Sequence, residues 1–211
     1  MGVFDTTAWV GIVVLCVAGL LWTRRGKVRP IYKGSKRIIL VGKSGSGKDT
    51  LRNTICELSG ARPDVACTTR PPRDDEHDGQ DYYFLNNTEF TAKMKKGDFY
   101  YYQEFPNGWK YGCLKQSWST NHVFIMTPLA VANIFHDDRK RCLIVLIRAQ
   151  DRVRMARSIA RRGDADSAKR RCEADRVDFE GFDDYDFVFE NNSTHLSHMD
   201  HLARLVLNRA V

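Results

Sequence analysis

The sequence predicts an α/β fold in three layers, with helices on both faces of a parallel β-sheet. Three observations predict it. Uninterrupted apolar runs at residues 37–41, 123–126 and 142–147 are typical of strands that are buried on both faces. Segments with helical spacing separate these runs, and alternation of strands with helices indicates a parallel sheet. A glycine-rich stretch, residues 42–47, joins the first run to the first helix.

Residues 1–36 differ in composition from the rest of the chain. Residues 8–22 carry no charge. The basic residues that follow them are Arg24, Arg25, Lys27 and Arg29. A spanning helix needs roughly 20 apolar residues, with about 17 as the lower limit, and basic residues favour the cytoplasmic side. We therefore expect a single-pass membrane anchor and basic linker at 1–36, followed by a cytoplasmic domain at 37–211. The alternative is a buried or interfacial helix, which would make the protein soluble and cytoplasmic.

Charge and cysteine content exclude two other classes of protein. The net charge is +7, but residues 1–36 hold six basic residues and one acid, which leaves 27 basic and 25 acidic residues elsewhere. The folded domain is therefore nearly neutral, and we expect no nucleic-acid partner. The six cysteines contain no Cys-x-x-Cys pair. Neither a zinc site nor a disulfide framework is expected, which favours a reducing compartment.

The glycine-rich stretch has the pattern of a phosphate-binding loop. Positions 42–48 read Gly-Lys-Ser-Gly-Ser-Gly-Lys between a predicted strand and a predicted helix, which is the context that this motif requires. Backbone N–H groups of such a loop surround phosphate, and the lysine contacts the β- and γ-phosphates of a nucleoside triphosphate. The residues predicted to bind ATP are Gly42, Ser44, Gly45, Ser46, Gly47, Lys48, Asp49 and Thr50.

One position departs from the motif. Ser or Thr normally follows the lysine and contacts Mg²⁺, whereas this chain has Asp49 and then Thr50. Mg²⁺ commonly takes one or two carboxylates together with substrate phosphates. We therefore predict that Asp49 and Thr50 hold Mg²⁺. The alternative is that Asp49 only caps the N-terminus of the helix, where a carboxylate is favourable.

The remaining elements follow from local patterns. A helix is expected at residues 50–58, and the polar residues 68–81 are expected to form a loop or small subdomain. Residues 98–105 predict a strand, and residues 187–189 predict a further, weaker strand. The other helices are predicted at residues 128–135, 150–161, 167–176 and 195–209.

Residues 67–84 carry a second set of motifs. They contain Thr-Thr-Arg-Pro-Pro-Arg, then Glu76, then Gly-Gln-Asp-Tyr-Tyr-Phe. Two arginines three residues apart can hold one phosphate through paired hydrogen bonds. Together with the loop, these motifs closely resemble those of guanylate kinases, and the resemblance extends over residues 37 to about 210. Its later matches are Phe90, Gly97, Phe99 and a Lys110-Tyr111-Gly112 turn.

The resemblance implies transfer of the ATP γ-phosphoryl group to GMP or dGMP, with Mg²⁺. It implies a P-loop kinase core with an acceptor-binding insertion at residues 67–122 and a short lid at residues 161–172. The implied acceptor-binding residues are Arg70, Arg73, Glu76, Tyr82 and Tyr111. The implied catalytic residues are Lys48, Arg162 and Arg171, and the other basic residues around the lid are Arg157, Arg161, Lys169 and Arg170.

The positions that read guanine in that family differ here. Tyr101 stands where guanylate kinases have a glutamate, and residues 124–127 replace a Leu-Asp-Ile-Asp strand. A tyrosine cannot replace a carboxylate that pairs with the N1–H and amino groups of guanine. Two serines of the family are also replaced, by Ala66 and Cys113. Glu104 or Gln103 is the predicted substitute for the glutamate, provided that the strand register shifts.

Two other functions therefore stay open. The first is a kinase for another phosphorylated acceptor such as ribose 1,5-bisphosphate, because kinases of that kind also lack the paired aspartates. The second is a non-catalytic scaffold related to guanylate kinases that binds a protein partner. Such scaffolds typically lose the loop lysine and the acceptor arginines, whereas Lys48, Arg70 and Arg73 are all present.

Overall fold

The computed structural model describes residues 32–162, 165–193 and 196–211. The strands of its central sheet are β1 (Arg37–Val41), β6 (Val123–Ile125), β7 (Cys142–Arg148) and β8 (Phe187–Glu190). They are parallel and lie in the order β6-β1-β7-β8. Leu40 on the inner strand β1 pairs with Ile125 on one side and Val145 on the other. The predicted core strands and their parallel arrangement are confirmed.

Helices pack on both faces of this sheet. Those of the described residues are α1 (Lys48–Ser59), α2 (Asn87–Lys96), α3 (Lys115–Thr120), α4 (Pro128–Ala132), α5 (His136–Arg139), α6 (Asp151–Arg162), α7 (Ala165–Asp178) and α8 (Leu196–Arg209). On one face, Ile55 of α1 and Val206 of α8 are buried in the same apolar cluster as Ile38. On the other face, Trp118 of α3 and Val131 of α4 are buried in the cluster that contains Ile39. The three-layer prediction is therefore confirmed.

A second sheet lies within the predicted acceptor-binding region. Its strands are β2 (Cys67–Thr68), β3 (Tyr83–Phe84), β4 (Phe99–Glu104) and β5 (Lys110–Leu114), in the order β3-β2-β5-β4. The ring of Phe90, in α2, stacks on Phe99 with 4.6 Å between the ring centroids, which fixes the helix against this sheet. The predicted turn at residues 110–112 is wrong, because these residues pair with both β4 and β2.

The ends of the predicted helices shift by a few residues, and one predicted helix is divided. Residues 128–135 were expected to form one helix, but α4 ends at Ala132 and α5 begins at His136. Helix α6 ends at Arg162 and α7 begins at Ala165. Much of the predicted lid is therefore the end of one helix and the start of the next.

The predicted membrane anchor lies outside the described residues, which begin at Tyr32. The end of the predicted linker is described, and the Ser35 and Lys36 N–H groups both donate to the carbonyl oxygen of Ala210. This contact ties the start of the domain to the end of α8. Within the described ranges, no helix is both long enough and apolar enough to span a membrane.

Candidate functional site

A cavity of about 500 Å³ lies where the loop after β1, the second sheet and α7 meet. Its lining includes Lys48 and Asp49 from the start of α1, Arg70 and Tyr111 from the second sheet, and Arg171 from α7. One shared space is therefore lined by part of the residues predicted for the triphosphate (Gly42, Ser44, Lys48 and Asp49) and by all but Glu76 of those predicted for the acceptor (Arg70, Arg73, Tyr82 and Tyr111). That arrangement is what direct transfer between two bound substrates requires.

The phosphate loop is shaped by two glycines in the left-handed region. Gly45 has φ 76° and Gly47 has φ 96°, values that residues with a side chain rarely adopt. A Cβ atom on Gly47 would also lie 2.4 Å from Nδ2 of Asn191. That amide donates to the Ser46 carbonyl at 2.7 Å. The loop therefore needs glycine at position 47 both for its conformation and for its contact with the segment after β8.

Lys48 places its charge inside the loop. Its Nζ donates to the carbonyl oxygens of Gly42 at 2.5 Å and Lys43 at 3.2 Å. Burial lowers the pKa of Lys48, while the neighbouring carboxylates of Asp49 and Asp175 act to raise it. The ammonium group thus lies beside the backbone that the motif assigns to phosphate binding.

A buried ion pair supports the loop from α6 and α7. Oδ2 of Asp175 accepts from the Ser44 N–H at 2.7 Å and from Nη1 of Arg154 at 3.2 Å. Nη1 of Arg154 also donates to the Ser44 carbonyl at 3.1 Å. Both side chains are almost inaccessible, at 3% for Arg154 and 2% for Asp175. This pair was not predicted from the sequence, although Asp175 is an acid within the basic stretch of α7 and could have indicated an ion pair.

The predicted lid arginines have different environments. Arg171 lines the cavity, and its Nε lies 3.4 Å from Oδ1 of Asp175. Arg157 instead donates to the carbonyl oxygens of Gly45, Asn191 and Ser193, so its guanidinium supports the loop backbone. Arg162 is the last residue of α6, and its side chain lies outside the described part of the structure. Its catalytic role stays a prediction.

Arg70 is the centre of the acceptor end. Its Nη2 donates to both carboxylate oxygens of Glu76, at 2.8 and 2.7 Å, and its Nε donates to the Tyr111 hydroxyl at 3.2 Å. The guanidinium carbon also lies 5.4 Å from the ring centroid of Tyr82, a cation–π distance. The residue is only 5% exposed. Its planar group is therefore held in one orientation at the cavity wall.

Glu76 holds both acceptor arginines. Besides contacting Arg70, its carboxylate accepts from the backbone N–H and from Nη1 of Arg73, both at 3.0 Å. Burial acts to raise the pKa of Glu76, but these hydrogen bonds and both guanidinium charges together lower it. Arg70, Arg73, Tyr82 and Tyr111 line the cavity, whereas Glu76 lies behind the arginines. Direct contact of Glu76 with the acceptor stays a prediction, and the geometry indicates that it orients the arginines.

The predicted substitutes for the family glutamate separate in the structure. Oε1 of Gln103 accepts from the Tyr101 hydroxyl at 2.8 Å and from Oγ1 of Thr127 at 3.0 Å, and all three residues line the cavity. Glu104 is instead 59% exposed and pairs with Lys110 at 3.9 Å. Gln103 is therefore a member of this wall, while the Glu104 carboxylate is directed to solvent.

Asp64 is a cavity-lining acid that the sequence analysis missed. It is 9% exposed, and burial raises its pKa to about 6. Its Oδ1 accepts a hydrogen bond from Oγ of Ser117 and lies 4.0 Å from Sγ of Cys113. The sequence offered one sign, since Asp64 lies two residues before Ala66, which replaces a serine of the resembled family.

The two predicted Mg²⁺ ligands are both exposed at the start of α1, and Asp49 alone of the two lines the cavity. The N-cap residue of α1 is Gly47, and Asp49 lies in the first turn of the helix, where a carboxylate is favourable. The described residues contain no cluster of three or more His, Cys, Asp or Glu side chains arranged for a metal ion. One carboxylate beside a phosphate loop fits a Mg²⁺ ion that is held largely by phosphate oxygens and water.

Comparison with known proteins finds guanylate kinases by family model, by sequence and by structure. Residues 34–208 match the model of the guanylate kinase family. The chain is 32% identical to a guanylate kinase of Salinibacter ruber over 169 residues, 74% of this chain and 87% of that protein. It is 29% identical to a guanylate kinase of Thermobifida fusca over 168 residues, 74% of this chain and 84% of that one. The fold is similar to the crystal structure of guanylate kinase from Anaplasma phagocytophilum, with TM-score 0.63, 19% identity, and coverage of 85% of this chain and 88% of the other.

Proposed function

This chain belongs to the guanylate kinase family, and from that premise we propose that it transfers the γ-phosphoryl group of ATP to GMP. The observation that carries the proposal is the shared cavity, which joins the phosphate loop to the arginines of the second sheet. Transfer of a phosphoryl group depends mainly on positioning and on stabilisation of charge. The cavity supplies both.

The acceptor phosphate is held at the end of the cavity formed by Arg70, Arg73, Tyr82 and Tyr111. Arg70 is already oriented by Glu76 and Tyr111, so little side-chain freedom is lost when a phosphate binds. An ionised phosphate oxygen is itself the nucleophile. The reaction therefore needs no general base, and the site offers cations where charge develops.

The donor phosphates lie on the loop from Gly42 to Lys48. Lys48 supports the transferring group from the loop, and Arg171 supports it from α7, where its side chain also lines the cavity. Arg162 is assigned the same task by its place at the end of α6. Mg²⁺, when bound, would neutralise charge on the phosphates, and Asp49 would hold it.

An assay of ADP release over GMP, dGMP, IMP, AMP and ribose 1,5-bisphosphate tests the proposal. We expect turnover with GMP and dGMP, and we expect Lys48→Met to reduce kcat by at least about 100-fold, as loss of one preorganised charge does elsewhere. Preference for ribose 1,5-bisphosphate would contradict the acceptor assignment. ATP binding without turnover of any acceptor would indicate the scaffold function instead.

We further propose that residues 8–22 anchor the chain to a membrane. The support is the uncharged run and the basic residues that follow it. Sedimentation with membranes should distinguish the full chain from a chain beginning at Lys36. Recovery of both in the supernatant would contradict the anchor.

A further inference from the structure

We propose that Asp64 recognises the guanine base of the acceptor by accepting hydrogen bonds from guanine N1–H and the 2-amino group. The inference rests on the proposed function and names the residue that sets its base specificity. By the resemblance to guanylate kinases, Tyr101 on β4 stands where a glutamate would read the base, and Asp64 is the carboxylate that we assign to that task. Both residues line the same cavity.

The position of Asp64 along the cavity suits the base of a nucleotide. On β5, Tyr111 contacts Arg70 and Cys113 contacts Asp64. Residues two apart on a strand lie on the same face, separated by about 7 Å. The acid therefore lies roughly that far along β5 from the residues that hold the phosphate. A ribose fits between the two, and the base then lies against Asp64.

The carboxylate is held in one orientation from α3. Nδ2 of Asn121 donates to Oγ of Ser117 at 2.7 Å, and the Ser117 hydroxyl donates to Oδ1 of Asp64. Among the described residues, no side chain donates to Oδ2. Ser117 therefore orients Oδ1 but uses only part of its acceptor capacity, and Oδ2 is available, so the two oxygens can accept from two adjacent donors of a ligand.

The chemistry of this end of the cavity favours a base with two adjacent donors. Tyr101, Gln103 and Thr127 are neutral and already hydrogen-bond to one another. The other acids that line the cavity come from the donor side, and they are Asp49, Asp175 and Asp178. Asp64 is thus the one carboxylate that the described acceptor wall offers. Guanine presents N1–H and an amino group side by side, whereas adenine presents a lone pair at N1 that a carboxylate repels.

Burial of the Asp64 carboxylate costs free energy, and a purely structural role does not explain that cost. Burial raises the pKa of Asp64 to about 6, against smaller lowering by the Ser117 hydrogen bond and the charge of Arg52. An asparagine would keep the bond from Ser117 without burying a charge. Perturbed carboxylates in a cleft commonly serve a ligand.

The test compares wild type with Asp64→Asn on GMP and IMP, which differ by the 2-amino group. We expect kcat/KM to fall about 100-fold for GMP and about tenfold for IMP, because hydrogen bonds to a charged group are lost in unequal number. The GMP-to-IMP ratio then falls about tenfold. Asp138→Asn is the matched control, since Asp138 accepts from Tyr100 and Trp118 and does not line the cavity. The GMP-to-IMP ratio of kcat/KM in Asp138→Asn should equal that of wild type.

The pH dependence of wild type gives a second measurement that needs no variant. The GMP-to-IMP ratio of kcat/KM should fall as pH drops through about 6 and Asp64 is protonated; the phosphate titrates alike in both nucleotides and cancels. The titratable or charged groups that face Asp64 are Arg52 of α1, Cys67 of β2 and Cys113 of β5. Neither thiol ionises in this range, since burial raises both pKa values.

The outcomes distinguish the role of Asp64 in base recognition from the proposed kinase activity. GMP turnover by wild type, with an unchanged GMP-to-IMP ratio in Asp64→Asn, overturns the role of Asp64 and leaves the kinase assignment intact. A flat ratio between pH 5 and 7 (values chosen to bracket a pKa of about 6) does the same. Failure of wild type to phosphorylate GMP overturns both proposals.

Discussion

The backbone N–H of Ser44 donates to Oδ2 of Asp175 at 2.7 Å, across 131 residues of chain. The same oxygen accepts from Nη1 of Arg154, and both charged side chains are buried. The conformation of the phosphate loop is therefore coupled to an ion pair between α6 and α7. A buried pair of this kind is costly to break from one side, because one charge is then left without its partner.

Asp175→Asn should lower the free energy of unfolding by about 3 kcal/mol, since it leaves the buried Arg154 charge with only the exposed carboxylate of Asp151 as a partner. The double variant Arg154→Leu, Asp175→Leu should lose less than the two single changes together. Urea unfolding of wild type, Arg154→Leu, Asp175→Leu and the double variant measures this coupling. Strictly additive losses would show that the pair does not act as a unit.

Asp64→Asn should stabilise the protein at neutral pH while it impairs base recognition. The pKa of Asp64 rises from the usual 3.8 to about 6 on folding, so the native state binds the proton more tightly. The contribution of this carboxyl to stability therefore falls as pH rises from about 4 to about 6. The variant should gain about 2–3 kcal/mol over wild type above that window, at about 1.4 kcal/mol per pKa unit. Chemical unfolding at pH 4 and pH 7 checks this sign, and a variant less stable than wild type at pH 7 contradicts it.

The core strands were predictable because β1 and β7 are buried on both faces and therefore read as continuous apolar runs. In the second sheet, the strand predicted at residues 98–105 is confirmed as β4. The other elements were not predicted, because β2 and β3 have two residues each and α2 buries a single side chain, Phe90. Such short strands form through pairing, of β3 with β2 and of β2 with β5, rather than through a local sequence pattern.

The site residues also differ in how far they could be predicted from the sequence. Lys48, Arg70 and Arg73 lie in contiguous motifs, whose chemistry can be read along the chain. Asp64 contacts Ser117, which lies 53 positions away along the chain, and Asp175 contacts Ser44, which lies 131 positions away. No local pattern marks such contacts, and the basic character of α7 drew attention to its arginines instead.

Glu76→Gln should raise KM for GMP about tenfold while KM for ATP changes less than twofold. The carboxylate holds Arg70 and Arg73 and does not line the cavity, and loss of one charge-assisted hydrogen bond corresponds to about 1.5–3 kcal/mol. Asp75→Asn removes the same charge from an exposed neighbour on the same loop and is the control. Equal effects of both changes would indicate general electrostatics rather than orientation of the arginines.

Gly47→Ala should destabilise the protein more than Gly108→Ala. Both glycines have positive φ, 96° and 80°, so each alanine carries conformational strain of about 1 kcal/mol. A Cβ at Gly47 also meets Asn191 at 2.4 Å, whereas a Cβ at Gly108 meets no atom within 4 Å. The difference between the two unfolding free energies isolates the crowding at the loop. We also expect Gly47→Ala to weaken ATP binding, and equal losses of stability would contradict the close approach.

Asp49→Ala should raise the Mg²⁺ concentration for half-maximal velocity about tenfold, the effect of losing one favourable ligand contact of about 1.4 kcal/mol. Asp49 lines the cavity beside Lys48. Glu57→Ala is the matched control, because Glu57 is an exposed acid of the same helix that does not line the cavity, and its Mg²⁺ dependence should equal that of wild type. Asp49→Ser restores the hydroxyl that the motif usually carries, so its Mg²⁺ requirement should lie between those of wild type and Asp49→Ala.

Unchanged Mg²⁺ dependence in both Asp49 variants would exclude the ligand role and leave Asp49 as a carboxylate that only favours the helix N-terminus, an effect of about 0.3–1 kcal/mol on stability.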